Sequence, residues 1–269
     1  MTIIQASICD DNNAIILIAD RLVTVSEMYV AEAKSQKLYG FGSFGVGFAG
    51  TLSDIIHIKD KIEKKASFKE FVESLIEIYK NENEMRENDF IKRNTLLSKS
   101  ELKDYVIHDE GKIPEDLIEW IYGHLEDVRL DSSALVVGFN EKTKPQIIYI
   151  DEFGDIVNYT ENHYCTIGSG EHFSEVFFDI NEYDPCCTLE QGLLFSLRAK
   201  RSAEAHIGVG KDTDIMVLRQ EKDPIFILNE SNEMRQLQEI YEEEKINIKK
   251  LFNNNADKIK GLFDEKRAQ

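Results

Sequence analysis

Thr2-Ile3-Ile4-Gln5-Ala6-Ser7-Ile8 and Ala14-Ile15-Ile16-Leu17-Ile18-Ala19, separated by Asp10-Asp11-Asn12-Asn13, decide the reading of this chain. Both runs are rich in β-branched residues, and the Asp/Asn quartet has turn chemistry, so together they predict a β-hairpin. The second run ends in Asp20-Arg21, and pairing the strands returns Asp20 to the start of the first. Thr2 stands directly behind Met1. Removal of Met1, favoured when the next side chain is small, leaves Thr2 with a hydroxyl and a free α-amine. Such an amine has a reference pKa of about 7.7–8.0, so part of it is unprotonated near neutrality. One residue then carries nucleophile and base together. Taken alone, a Met-Thr beginning reads as an ordinary N-terminus, and Asp20 as an ion pair with Arg21 or a strand-end turn residue.

Two further blocks bear on these readings. Lys34-Ser35-Gln36-Lys37-Leu38-Tyr39 precedes Phe44-Gly45-Val46-Gly47-Phe48-Ala49-Gly50-Thr51, which reads as a strand running into a glycine turn at the start of a helix. Such a turn can present backbone N–H groups to a developing oxyanion. Downstream follow Ala134-Leu135-Val136-Val137-Gly138-Phe139, the hairpin Ile148-Tyr149-Ile150-Asp151 with Gly154, then Thr166-Ile167-Gly168-Ser169-Gly170 and Thr213-Asp214-Ile215-Met216-Val217-Leu218. In this order, across about residues 2–220, the chain resembles the proteasome-type N-terminal nucleophile hydrolases. These include proteasome β subunits and the peptidase ring of the bacterial ATP-dependent two-component protease.

The resemblance implies an α+β fold, a four-layer αββα sandwich. It implies Thr2 as nucleophile, Asp20 as a charge beside it, Gly50 N–H as oxyanion donor and Ser169 as a hydroxyl of the proton relay. Lys34 is the implied buried cation, because it stands three residues before Lys37-Leu38-Tyr39, as the family's lysine stands before its basic-Leu-Tyr. An ammonium beside a carboxylate in a dry site keeps its charge and favours the alkoxide. Outside that context Lys34 reads as a solvated surface lysine and Gly50 as a glycine at the start of a helix. Two departures stand out. The family's Gly-Gly pair is Gly50-Thr51 here, and its Asp with Ser-Gly-Gly is Ala203-Glu204-Ala205-His206-Ile207-Gly208-Val209-Gly210. Glu204 is the replacement acid on offer, no serine is available, and His206 is read as a surface or satisfied histidine.

With 269 residues, 42% of them hydrophobic, the chain can bury a sizeable core. Its net charge of −18 argues against nucleic acid and anionic membrane as partners and is compatible with cationic ligands. No apolar run is long enough to cross a bilayer, and no secretory pattern opens the sequence, so a cytoplasmic protein is expected. Cys9, Cys165, Cys186 and Cys187 lack metal-ligand spacing, and the adjacent pair reads as reduced thiols. Neither cofactor nor metal is expected.

Helical spacing marks Ser53–Lys65 and Ser67–Asn83, the second with a Ser67/Glu70 capping box. A charged helical insertion is predicted at about 84–130, with Leu117, Ile118, Ile121 and Leu125 as its apolar stripe and Trp120 in a packing role. Strands follow over 134–167, helices over Glu171–Tyr183 and Thr188–His206, and strands at Thr213–Gln220 and Pro224–Asn229. Residues 1–230 thus form the main domain, and 231–269 an amphipathic helical extension interrupted at Asn253-Asn254-Asn255 and suited to assembly. The resemblance implies a threonine-type endopeptidase acting on peptides or unfolded proteins inside a homo-oligomeric ring, fed by an ATPase unfoldase. Two alternatives remain open at this point: an amidase of the same chemistry on a small molecule, and a non-catalytic assembly protein that keeps Met1.

Overall fold

The computed structural model describes residues 2–26, 29–32, 36–108, 113–220 and 222–267. The first two runs form an antiparallel hairpin, β1 (Ile4–Cys9) and β2 (Ala14–Asp20), in which Ile4 faces Ala19 and Cys9 faces Ala14. Asp10, Asp11 and Asn12 turn the chain with φ of 56°, 52° and 70°, a left-handed region that short polar side chains tolerate. Every residue of β1 and β2 is buried, which places the hairpin at the centre of its sheet. β10 (Tyr164–Ile167) pairs with β1, and β11 (Thr213–Arg219) pairs with β2 and is followed at the edge by β12 (Ile225–Ile227). A second antiparallel sheet runs in sequence order: β5 (Leu38–Phe41), β6 (Phe44–Gly50), β7 (Ser132–Phe139), β8 (Pro145–Ile150) and β9 (Ile156–Asn158). Between β2 and β5, the strands β3 (Leu22–Ser26) and β4 (Tyr29–Glu32) form a small ribbon.

One apolar cluster joins the two sheets. Ile4, Ile8, Leu17 and Met216 from the first meet Leu38, Leu135 and Ile147 from the second. Burying each Ile or Leu contributes about 2 kcal/mol, so this interface is a major part of the driving force. The other face of the second sheet receives α1 (Leu52–Lys59) and α2 (Phe68–Thr95) through Ile55, Ile58, Phe71 and Leu75 against Val46, Phe48 and Val136. On the first sheet, α6 (Leu189–Ala203) packs on β1 and β2, and α5 (Glu171–Ile180) packs on α6 and β10.

The Ser67/Glu70 capping box is present, with both reciprocal hydrogen bonds. The helix it starts does not stop near Asn83; it runs to Thr95, with no Gly or Pro to end it. Two of its acidic residues, Glu82 and Glu87, are buried and paired, while most of its other charges face solvent. Glu82 accepts hydrogen bonds from His57 and Lys61, and Glu87 from Lys99 and Arg129. The insertion continues as α3 (Lys99–His108) and α4 (Glu115–Gly123) around a core of Ile91, Leu102, Ile121 and Leu125. Trp120 packs between Phe90 and His124, with ring centroids 5.6 and 4.6 Å away.

The chain divides into two compact units, Met1–Phe226 and Ile227–Gln269. In the second, α7 (Asn232–Arg267) passes through the three asparagines without a break. Asparagine costs less than about 1 kcal/mol per residue in a helix, too little to stop one of this length. Among the described residues no helix is long and apolar enough to cross a membrane.

The buried core titrates late. Burial pushes the Cys9 thiol and the Tyr149 hydroxyl up to about 12, and it raises Cys165, Tyr79 and Tyr183 as well. The unfolded chain loses these protons at about 8.5–10 while the folded chain keeps them, so unfolding free energy falls as pH rises through that window. Lys200, pushed down to about 8 by burial, acts in the opposite sense, one group against five. Urea unfolding at pH 8 and pH 10.5 should therefore show a lower midpoint at the higher pH; an unchanged or higher midpoint would contradict this account of the core.

Candidate active site

The β1–β2 register delivers Thr2 and Ile3 to the end of β2, where Asp20 N–H donates to Ile3 C=O at 3.2 Å. The Asp20 side chain is fully buried beneath Thr2. Its Oδ1 accepts from Thr2 Oγ1 at 2.6 Å and Ile3 N–H at 3.0 Å; its Oδ2 accepts from Leu22 N–H at 3.1 Å and Gly210 N–H at 2.8 Å. The neighbouring Arg21 turns elsewhere and pairs with Asp214, Nε to Oδ2 at 2.8 Å.

Among the described residues, the ammonium in this site is that of Lys37. Its Nζ donates to Asp20 Oδ1 and to Leu22 C=O, each at 2.7 Å, and to Thr2 Oγ1. Lys34, the lysine that the resemblance implied, lies outside the described residues. Lys37 immediately precedes β5, and its carbonyl accepts Phe48 N–H at 3.1 Å, so sheet pairing fixes its backbone. The available signal was its place beside Leu38, a residue whose burial between the sheets anchors its neighbour. Placing a lone ammonium here would cost several kcal/mol of desolvation; the Asp20 carboxylate and the Leu22 carbonyl offset that cost.

Ser169 meets the backbone of Thr2 rather than its hydroxyl. Thr2 N–H donates to Ser169 Oγ at 3.0 Å, and Ser169 Oγ donates back to Thr2 C=O at 3.3 Å. Gly168, with φ of +97°, makes this approach possible, because a Cβ there would lie 2.5 Å from the Thr2 carbonyl oxygen. Gly50 is constrained in the same way: its φ is +123°, and a Cβ would fall 2.2 Å from Asp131 C=O. Thr51, standing where the family pattern has a second glycine, ties its hydroxyl to Asp131 Oδ2 at 2.5 Å.

Thr2, Gly50 and Ser169 line one open cleft of about 670 Å³, while Asp20 and Lys37 lie buried behind Thr2. The lining also includes four acidic residues, Glu126, Asp127, Asp131 and Glu152. Arg129 also lines the cleft, but its Nε is held by Glu87 at 2.5 Å and its guanidinium lies 5.1 Å from the centre of the Phe153 ring.

Glu204 and His206, the residues weighed from the family's altered segment, serve their own loop. Glu204 Oε1 accepts from Lys200 Nζ at 2.6 Å and Arg201 Nη1 at 2.5 Å. His206 Nδ1 accepts Gly208 N–H at 3.1 Å, and its ring lies 6.3 Å from that of Phe173. The contact this segment makes with the Thr2 site comes from Gly210, a backbone donor that side-chain motifs could not reveal.

No family model and no curated protein matches the sequence. Solved structures do match. Anbu (ancestral beta-subunit) from Yersinia bercovieri superposes with a TM-score of 0.61 at 13% identity, covering 91% of this chain and 95% of that one. A Gly-1 mutant of Anbu from Hyphomicrobium sp. strain MC1 gives a TM-score of 0.60 at 11% identity, over 94% and 97% of the two chains. At these identities the likeness is one of fold, and it extends over nearly the whole of each chain.

Proposed function

We propose that this chain is a proteasome-type N-terminal nucleophile hydrolase, a threonine-type peptidase subunit working in a homo-oligomer. The carrying observation is a single cluster: Thr2 lines an open cleft, and its hydroxyl lies 2.6 Å from the Asp20 carboxylate and in contact with the Lys37 ammonium. The fold likeness to an ancestral beta-subunit supports the same reading. So does the arrangement of two sheets packed on each other with helices on their outer faces, which we read as the four-layer αββα sandwich.

In this mechanism, removal of Met1 converts the Thr2 N–H into a free α-amine beside Ser169. Thr2 Oγ attacks the peptide carbonyl carbon while its proton passes, through water, to that amine. The Lys37 ammonium favours the alkoxide, and Asp20 holds the ammonium charged and in place. Gly50 N–H receives the oxyanion. Alternation along β6 gives it the same sense as Phe48 N–H, which donates to Lys37 C=O, so it points to the side on which Lys37 lies. The C–N bond then breaks, the leaving amine takes the proton, and an ester joins the acyl group to Thr2. Water attacks the ester, releases the acid and restores the hydroxyl. An open cleft suits an extended peptide, and its carboxylates suit a cationic side chain.

Intact-mass measurement of active protein should show the loss of Met1, and Thr2→Ala should lower fluorogenic peptide hydrolysis by about 10⁴-fold or more. Retained Met1 in an active preparation, or undiminished turnover by Thr2→Ala, would remove this mechanism. Lysine substitutions separate the two candidate cations. Lys37→Met should lose about 10²–10³-fold in kcat while Lys34→Met keeps most of it; the reverse pattern would restore Lys34. Among reporter peptides, those with Arg on the acyl side of the cleaved bond should outperform those with Glu by about tenfold at low salt. The gap should narrow as salt screens the cleft, and equal rates would count against an electrostatic preference.

A further inference from the structure

Lys200 is a buried cation that the mechanism above does not use. It sits on α6, one turn from the helix end, with its side chain entirely shielded from solvent. Its ammonium donates to Gly210 C=O at 2.6 Å, Lys211 C=O at 2.9 Å and Glu204 Oε1 at 2.6 Å. A loop on the surface could be pinned by a neutral side chain at far lower desolvation cost. The loop pinned here is the one that reaches the reactive centre: Gly210 N–H donates at 2.8 Å to Asp20 Oδ2. Gly210 is thus gripped at both ends, its carbonyl by Lys200 and its N–H by Asp20.

We propose that Lys200 is the positioning residue for Asp20, fixing through the Gly210–Lys211 backbone the carboxylate that orients Lys37 and Thr2. This rests on the function proposed above. The electrostatics agree with the geometry. Burial lowers the affinity of the Lys200 amine for its proton, bringing it down to about 8, while Glu204 and, more weakly, Asp20 help to keep it charged. Glu204 also accepts from Arg201, whose Nη1 donates in addition to Lys211 C=O at 3.1 Å, so one carboxylate serves both cations while Gly210 C=O is held by Lys200. Lys200 touches none of the reacting atoms. Its loss should therefore misplace Asp20 by a fraction of an ångström and slow the bond-making step without altering how a peptide occupies the cleft.

The test compares wild type, Lys200→Met and Lys200→Arg in reporter-peptide hydrolysis. It is paired with the backbone amide resonance of Gly210 in ¹⁵N-glycine-labelled protein. We expect Lys200→Met to lower kcat by about 10- to 100-fold with KM within about twofold of wild type, since small misplacements of a catalytic group cost rate rather than binding. Lys200→Arg, which keeps a cation over the two carbonyls, should recover most of that loss. The Gly210 amide should shift in Lys200→Met and in Asp20→Asn alike. A Lys200→Met protein with kcat within twofold of wild type, or with an unmoved Gly210 amide, would overturn the proposal. Should Lys200→Met fail to fold, Lys200→Gln, a neutral donor, carries the same comparison. A wild-type protein that hydrolyses no peptide would sink the peptidase reading instead. The Gly210 resonance would still decide whether Lys200 governs the contact with Asp20.

Discussion

The buried pair of Asp20 carboxylate and Lys37 ammonium, 2.7 Å apart, is the constraint on which the rest of the molecule depends. Neither charge is tolerable there without the other, because leaving one partner of such a pair unpaired costs several kcal/mol. The pair joins the two sheets: Asp20 ends β2 in the first, and Lys37 leads into β5 of the second. Thr2 Oγ lies against both. The same contact therefore closes one end of the sheet interface and sets the polarity around the hydroxyl. Any shift of one sheet over the other would break the ion pair before it disturbed much apolar packing.

The apolar cluster between the sheets supplies cohesion, and the backbone at its end supplies precision. Thr2 is held through its amide by Ser169, through its carbonyl by Ser169 and Gly170, and through its hydroxyl by Asp20 and Lys37. A residue ahead of the first strand would ordinarily fray. Here its hydrogen bonds arrive from the end of β2, the start of β5 and the turn after β10. That convergence requires glycine at 168, where a side chain would strike the Thr2 carbonyl.

Much of this was legible in the sequence. The hairpin followed from the β-branched runs and the Asp/Asn turn, and its register alone returned Asp20 to Thr2. What motif spacing did not indicate was the part played by Lys37. Spacing pointed to Lys34, which lies outside the described residues, whereas the Lys37 carbonyl accepts Phe48 N–H and its ammonium reaches Asp20. The extent of α2 was hidden for a different reason. Its charged half carries Glu82 and Glu87 at buried positions where an apolar stripe would have marked the helix, and their partners are distant in sequence, at 57, 61, 99 and 129. The three asparagines in α7 misled in the opposite direction, since weak helix formers do not end a helix in which no glycine or proline interrupts the middle turns.

The segment around Glu204 departs from the pattern the resemblance implies, while the Asp20 carboxylate stays held. The Asp20 oxygens are divided in their duties. Oδ1 faces the chemistry, bonded to Thr2 Oγ1, Ile3 N–H and Lys37; Oδ2 faces the scaffold, bonded to the amides of Leu22 and Gly210. The family pattern offers a serine near this point, and this chain has none, yet the scaffold oxygen is satisfied by the Gly210 backbone. A main-chain donor is only as well placed as the loop that carries it, and a glycine between Val209 and Lys211 gives that loop little stiffness of its own. Support comes from groups outside it: the Lys200 ammonium is bonded to the carbonyls of Gly210 and Lys211, and Arg201 and Thr213 also donate to the latter. With a backbone N–H as the donor to Asp20 Oδ2, the precision of this contact depends on the loop that carries Gly210, and under the proposal made above on the buried Lys200 of α6.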